Sequence, residues 1–274
     1  MKWLVDSHCH LDDVAYEEDR TELISSLSQE GILAVINPGC DRESSFKSLA
    51  LAEENPGIFA CLGTHPQEAA SYTKDWEAEM KDLLRHPKAV AVGEIGLDYH
   101  YDTASREKQW EVFERQLQVA EDCQKPVVIH SREAGEDTLS ILKNFGGRLK
   151  ILMHSFNEEV ESWDRLEDWD CYISLGGMVT FKNAPNPKAL AKRVSEERIL
   201  LETDGPYLAP VPKRGKRNRP GYCRFTLSAI AALRETSPDR LADVFTENAG
   251  RFYGIQKELK ALREQGAEND AGLR

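Results

Sequence analysis

No stretch of this 274-residue chain approaches the roughly 18 consecutive apolar residues that a membrane helix needs, so a helical transmembrane protein is excluded. The first residues, Met1-Lys2-Trp3-Leu4-Val5-Asp6, meet a charge too early for a signal peptide, and a soluble, cytoplasmic protein is expected. Six cysteines (Cys9, Cys40, Cys61, Cys123, Cys171 and Cys223) are scattered without a single C-x-x-C pair, which excludes a zinc knuckle and a disulfide framework. They read as reduced thiols, several of them acting as small hydrophobes in apolar runs. Positive charge is in the minority: 35 Lys and Arg against 47 Asp and Glu give a net charge of −12. That argues against bulk electrostatic binding of long duplex DNA. It leaves a nucleic-acid substrate open, because divalent cations and a local basic loop can hold phosphates on an acidic protein. No internal repeat, low-complexity linker or composition break divides the chain.

What is present is a regular alternation. Apolar, β-like runs fall at 3–8, 32–37, 58–63, 89–94, 126–130, 149–153, 171–175 and 199–203. Amphipathic stretches separate them, such as 103–123, where Trp110, Phe113, Leu117 and Ala120 recur at helical spacing. Ser237-Pro238-Asp239 has the form of an N-cap with proline at the first helical position. Eight strands each followed by a helix, in a chain near the usual length of about 250 residues, predict one TIM-type (β/α)8 barrel. An open doubly wound sheet is the alternative, but no G-x-G-x-x-G or Walker A run follows the first strand. The barrel is placed at residues 1–263, with a polar, frayed tail over 264–274.

Several of the apolar runs end on a residue able to bind a metal ion: His8 and His10, His65, Glu94, His130, His154 and Asp204. Side chains alternate along a strand, so Asp6, His8 and His10 are expected on one face. The same count aligns Val90 and Val92 with Glu94, Val128 with His130, Leu152 with His154, and Leu200 and Glu202 with Asp204. In most rows an apolar residue packs the barrel and a ligand follows at the C-terminal end, where barrel active sites lie. Four histidines and two carboxylates suit two divalent ions better than one. Glu94 would bridge them, with His8, His10 and Asp204 on one ion and His130 and His154 on the other. Paired ions lower the pKa of a water so that it attacks near neutral pH, and Asp204 could take its proton.

Other residues carry two readings each. His65 either meets substrate or donates a proton, or is structural. Arg132, two past His130, rises above the rim toward an anionic substrate or is an ordinary surface residue. Asp6 and Glu202 are carboxylates that orient the histidines or are buried hydrogen-bond partners. His86 precedes a strand and reads as surface; His100 touches substrate or sits in a solvated loop. Lys213, Arg214, Lys216 and Arg217, in a run without an acid, form a phosphate clamp or a solvated loop. Tyr99, Tyr101, Phe156, Tyr207 and Tyr222 flank the same rim, to stack bases or to pack under loops.

These motifs resemble those of the TatD family of metal-dependent deoxyribonucleases. The resemblance covers nearly the whole chain. It is carried by Asp6-Ser7-His8-Cys9-His10-Leu11, Gly63-Thr64-His65-Pro66, Gly93-Glu94-Ile95-Gly96-Leu97-Asp98-Tyr99, Pro126-Val127-Val128-Ile129-His130-Ser131-Arg132, His154-Ser155-Phe156, Thr180-Phe181-Lys182-Asn183-Ala184 and Leu201-Glu202-Thr203-Asp204-Gly205-Pro206-Tyr207-Leu208. It implies a two-metal site at the six positions above, with His65 and Arg132 meeting the substrate. It further implies hydrolysis of DNA phosphodiester bonds from a 3′ end, single-stranded or frayed, with Mg²⁺ supporting activity. The intrinsic affinity of such a site for Zn²⁺ exceeds that for Mg²⁺ or Mn²⁺. One departure is expected to bear on substrate preference at the rim: Arg219, in the loop Arg217-Asn218-Arg219-Pro220, stands where relatives usually carry an acid; His100 also stands where Tyr is more usual. Hydrolysis of an amide, a lactone or a small phosphoester at the same site is the competing function, and a non-catalytic scaffold the third.

Overall fold

A computed structural model describes residues 2–101 and 103–272. Eight strands form one parallel sheet in the order β1 to β8: Leu4–Asp6, Ile32–Pro38, Ile58–Leu62, Ala89–Asp98, Val127–Arg132, Ile151–Met153, Cys171–Leu175 and Ile199–Leu201. Past the ends of the first and last strands the ring closes, with Ser7 N donating to Leu201 O and Asp204 N to His8 O, both at 2.9 Å. A parallel bridge joins Cys9 to Gly205. That closure decides against the open doubly wound sheet. The helices on the outside are α1 to α5 (Arg20–Ser26, Arg42–Glu54, Lys74–Leu83, Arg106–Cys123, Gly135–Lys143) and α6 to α8 (Val160–Asp164, Pro185–Arg193, Cys223–Leu233). Two more, α9 (Pro238–Tyr253) and α10 (Gln256–Gly272), follow.

The strands are rich in Val, Ile and Leu and buried on both faces, as a covered parallel sheet requires. One face of each packs on the helices. The other builds the barrel interior, where Val5, Ile36, Phe59, Val128, Leu152 and Leu200 belong to one cluster. Phe252, Tyr253, Ile255 and Leu259, from the end of α9 to the start of α10, close that interior from below. Burying each such side chain contributes roughly 1.5–3 kcal/mol. α9 begins with Pro238 at its first turn and ends at Gly254 in a left-handed conformation (φ 71°), so both ends of the plug are set by sequence.

Four expectations change. Val5 and not Asp6 faces the interior cluster, because the register shifts between Leu4 and Val5 and the regular strand stops at Asp6. Val92 likewise packs outward with the helices, the register of β4 against β5 shifting between Val92 and Ile95. β4 continues four residues past Glu94 to Asp98. Gly96 permits this: its φ is +143°, and a Cβ there would lie 2.0 Å from the carbonyl oxygen of His130. Finally, the segment from Glu264 continues α10, with Gly266 against the indole of Trp3. Its Glu, Gln and Ala are good helix formers.

Candidate metal centre

The C-terminal ends of the strands gather the predicted side chains. His8 and His10 follow β1, Glu94 lies in β4, His130 in β5, and His154 directly follows β6. Asp204 comes three residues after β8, and His65 three after β3. Glu94, 3% exposed, stands at the centre. Its Oε2 lies 3.2 Å from His8 Nε2 and 3.8 Å from His10 Nε2. Its Oε1 lies 2.8 Å from His130 Nδ1, 3.1 Å from His154 Nε2 and 3.5 Å from His65 Nε2. Asp204 Oδ1 completes the first set, 3.7 Å from His10 Nε2 and 4.0 Å from His8 Nε2. His8, His10 and Asp204 thus bring three potential ligand atoms within 4.8 Å of one another, and Glu94, His130 and His154 do the same.

Electrostatics fit a cation. Burial alone would raise the Glu94 carboxyl, but His154, His8, His65 and His130 around it hold it well below the usual carboxylate range. Asp204 is lowered too, its burial outweighed by the hydrogen bond from His10 and by His154. In turn, burial is overcome at His154 by Glu94 and Glu202, and at His10 by Cys40 and Asp204, so both are raised. His8 is lowered by its burial and by His154, whose ring stacks on it at 3.9 Å. Its Nε2 is buried and has no hydrogen-bond partner among the described residues. A buried nitrogen without a hydrogen-bond partner, aimed at two carboxylates, fits the role of a metal ligand. Histidine nitrogen and carboxylate oxygen together suit Zn²⁺ or Mn²⁺.

Supporting residues set the ring orientations. Glu202 Oε2 lies 3.4 Å from His154 Nδ1 and accepts from Ser174 Oγ, which frees His154 Nε2. Asp98 Oδ2 lies 3.1 Å from His130 Nε2 and accepts from Gln67 Nε2, also at 3.1 Å. The sequence reading missed Asp98 as a site residue; its signal was a position four past Glu94, on the same face of a strand that Gly96 lets run on. Cys40 was missed as well. Its Sγ lies 3.9 Å from His10 Nδ1, at the C-terminal end of β2, the place where other strands carry their ligands. Asp6 has a different role from the histidines' partner. It accepts from Thr203 N at 2.9 Å, from Thr203 Oγ1 and from His8 N, and so ties β1 to the end of β8.

A cavity of about 600 Å³ opens over the centre, lined among others by His10, Cys40, His65, Tyr101, Arg132 and Tyr207. His65 is held by Gln67 N donating to its Nδ1 at 3.2 Å, leaving Nε2–H to face Glu94. Burial, reinforced by His130, pushes His65 down to about 3, so it is neutral at neutral pH and donates a hydrogen bond rather than a proton. The Arg132 guanidinium sits 5.0 Å above the Tyr101 ring. Of the five rim aromatics, Tyr101 and Tyr207 are exposed at the cavity, whereas Phe156 is buried and Tyr99 is engaged with Trp110 and Asp137. His100 pairs with Glu133 at 2.6 Å and does not line the cavity.

The basic run departs furthest from expectation. None of Lys213, Arg214, Lys216 and Arg217 lines the cavity. Arg217 is bound to Asp19, with Nη1 donating to Oδ1 at 2.9 Å, and Arg214 stacks 3.8 Å over Phe181. Lys213 lies over the Tyr222 ring at 5.6 Å, and Lys216 is exposed. Arg219 pairs with Glu30, which precedes β2 at the opposite end of the barrel, so its charge faces away from the centre.

Comparison with known proteins agrees with this architecture. The model of one protein family, TatD related DNase, matches residues 5–254. The uncharacterized metal-dependent hydrolase YabD of Bacillus subtilis is 39% identical over 253 residues, 92% of this chain and 99% of its own length. The 3'-5' RNA nuclease TATDN2 of Homo sapiens is 34% identical over 267 residues, covering 92% of this chain but 35% of that protein. Among solved structures, the TatD homolog YjjV of Escherichia coli superposes with a TM-score of 0.86 at 27% identity, over 92% of this chain and 98% of that one.

Proposed function

The chain belongs to the TatD-related DNase family of metal-dependent hydrolases, and from that premise we propose that it hydrolyses nucleic-acid phosphodiester bonds, releasing nucleotides from single-stranded or frayed 3′ DNA ends. The observation that carries the reading is the division of Glu94: one carboxylate oxygen faces His8 and His10, the other His130 and His154. Such a carboxylate suits two ions, as a bridge between two ligand sets. His8, His10, Glu94 and Asp204 would hold one divalent ion and Glu94, His130 and His154 the second, Mg²⁺ or Mn²⁺ being the working choice. Bound there, the ions would supply an activated water and charge neutralisation for a phosphoryl group.

The protein's own groups do the rest. Asp204, kept ionised beside His10, accepts the proton of the attacking water. Neutral His65 donates from Nε2 to a phosphoryl oxygen, stabilising the charge that develops there. Arg132, supported on Tyr101, meets the neighbouring phosphate, while the exposed rings of Tyr101 and Tyr207 offer faces to bases. The relative named an RNA nuclease supports RNA as a second polymer substrate to test.

A small phosphoester is the second reading. It is favoured by the basic loop standing outside the cavity with Arg217 held by Asp19. One experiment separates the two: digestion of 3′- and 5′-labelled single-stranded DNA, the matching RNA and an aryl phosphodiester, each with Mg²⁺ or Mn²⁺. A metal-dependent DNA ladder growing from the 3′ end is expected. Turnover of the aryl ester with both polymers untouched would replace the nuclease reading by the small-molecule one.

A further inference from the structure

The run that reads as a phosphate clamp contains, between its two paired arginines, a buried asparagine. Asn218 is 1% exposed. Its Nδ2 donates to Thr203 O at 2.8 Å and to Tyr207 O at 2.7 Å, and its backbone N donates to Pro206 O at 2.9 Å. Its own carbonyl accepts from Tyr16 Oη at 2.6 Å, and its Oδ1 accepts from Arg219 N at 2.9 Å. Both hydrogens of the carboxamide are therefore used, on carbonyls either side of Asp204.

Asp204 needs such fastening. Its φ is +55°, in the left-handed region that residues other than glycine seldom occupy. Its own amide is tied to His8 O, Thr203 N to Asp6 and Gly205 O to His10 N, all on the β1 side; β8 ends at Leu201, and Asn218 supplies the hydrogen bonds to Thr203 O, Pro206 O and Tyr207 O. The neighbouring Gly205 passes so close to Tyr16 that a Cβ would lie 2.5 Å from its hydroxyl. The arginines lock the asparagine in from the surface: Arg217 binds Asp19 and lies 4.8 Å over the Tyr16 ring, and Arg219 pairs with Glu30.

We propose that Asn218, anchored by Arg217, is the positioning residue that holds Asp204 in register with His8 and His10, and so sets the affinity of that one ion site and not the other. This rests on the metal-centre reading of the preceding section. Arg217 and Asn218 thereby act on the centre through the backbone of 203–207 and not by meeting phosphate.

The test is a Mn²⁺ titration of metal-stripped protein by calorimetry, in wild type, Asn218→Ala and Asn218→Asp, with the melting temperature of each metal-free protein alongside. Wild type is expected to show two binding steps. Both variants should weaken one step by about tenfold, the scale of lost outer support at metal sites, and leave the other within twofold. Asn218→Asp keeps the size and Oδ1 but loses both donors, so it should behave like the alanine variant. Arg217→Gln, a surface change, carries the test where the buried substitutions do not fold: the same step should weaken by about threefold. A two-step wild-type titration that these folded variants leave unchanged, or weaken equally in both steps, overturns the proposal alone. A wild type that takes up no Mn²⁺ overturns the metal-centre reading and the proposal with it.

Discussion

The Glu202 carboxylate lies 3.4 Å from Nδ1 of His154, on the side of the ring turned away from Glu94. With a cation on Nε2, the Nδ1–H donates to Glu202, which fixes the tautomer and makes the ring a better ligand. Glu202→Gln should therefore lower metal affinity by about 10–100-fold while the barrel stays folded, since Ser174 and the strand ladder remain. Metal titration against circular dichroism checks this; unchanged affinity would leave Glu202 as a packing residue.

Gly96 of β4 lies opposite His130 of β5 in the register. A methyl group would sit 2.0 Å from the His130 carbonyl oxygen, so the two strands must move apart. Gly96→Ala is expected to destabilise the fold by roughly 1–3 kcal/mol and to shift His130 from Glu94. Chemical denaturation reads the first effect and metal affinity the second. A variant with wild-type values for both would contradict the close approach.

Much of this centre was legible because a parallel barrel converts sequence order into spatial convergence. Each of His130 and His154 follows an interior residue, Val128 or Leu152, by two positions, and that period survives in the fold. It fails at Asp6 and Val92, where register shifts reverse the count; such shifts come from the stagger of closing a ring and leave no mark in hydrophobicity. Asp98 was hidden by the assumption that β4 ends at its ligand. The basic run misled for another reason. Charge is visible in sequence, but its partners, Asp19 and Glu30, are almost two hundred residues away in the chain and adjacent only in the closed barrel.

His65 gives a pH prediction with a definite sign. Its ordinary value of 6.5 falls to about 3 in the fold, so below pH 6.5 the unfolded chain takes a proton that the native state refuses. Its contribution to stability is therefore lost as pH falls from 6.5 toward 3, by up to about 1.4 kcal/mol per pH unit, and is constant above. In metal-stripped protein, His65→Gln should gain on wild type as pH drops from 7.5 to 4.5. Melting curves that stay parallel would contradict a neutral, buried His65.

The basic residues separate by their contacts. If DNA reaches the rim, Lys213, Arg214 and Lys216 could still meet phosphates, and each neutralisation that removes a contact should reduce the slope of log affinity against log salt by about one. Arg217→Gln should leave that slope unchanged, because Asp19 holds its guanidinium. Fluorescence anisotropy on a labelled oligonucleotide at several salt concentrations measures both. Equal slopes for every variant would remove this loop from DNA binding.

The claim on which the rest depends is that Glu94 stands between two cations. Anomalous scattering from crystals soaked in Mn²⁺, collected on wild type and on Glu94→Ala, tests it directly. Two peaks are expected in wild type, one among His8, His10, Asp204 and Glu94 Oε2, the other among Glu94 Oε1, His130 and His154, with at least one lost in the variant. A single peak, or none beside these residues, would contradict the two-ion centre.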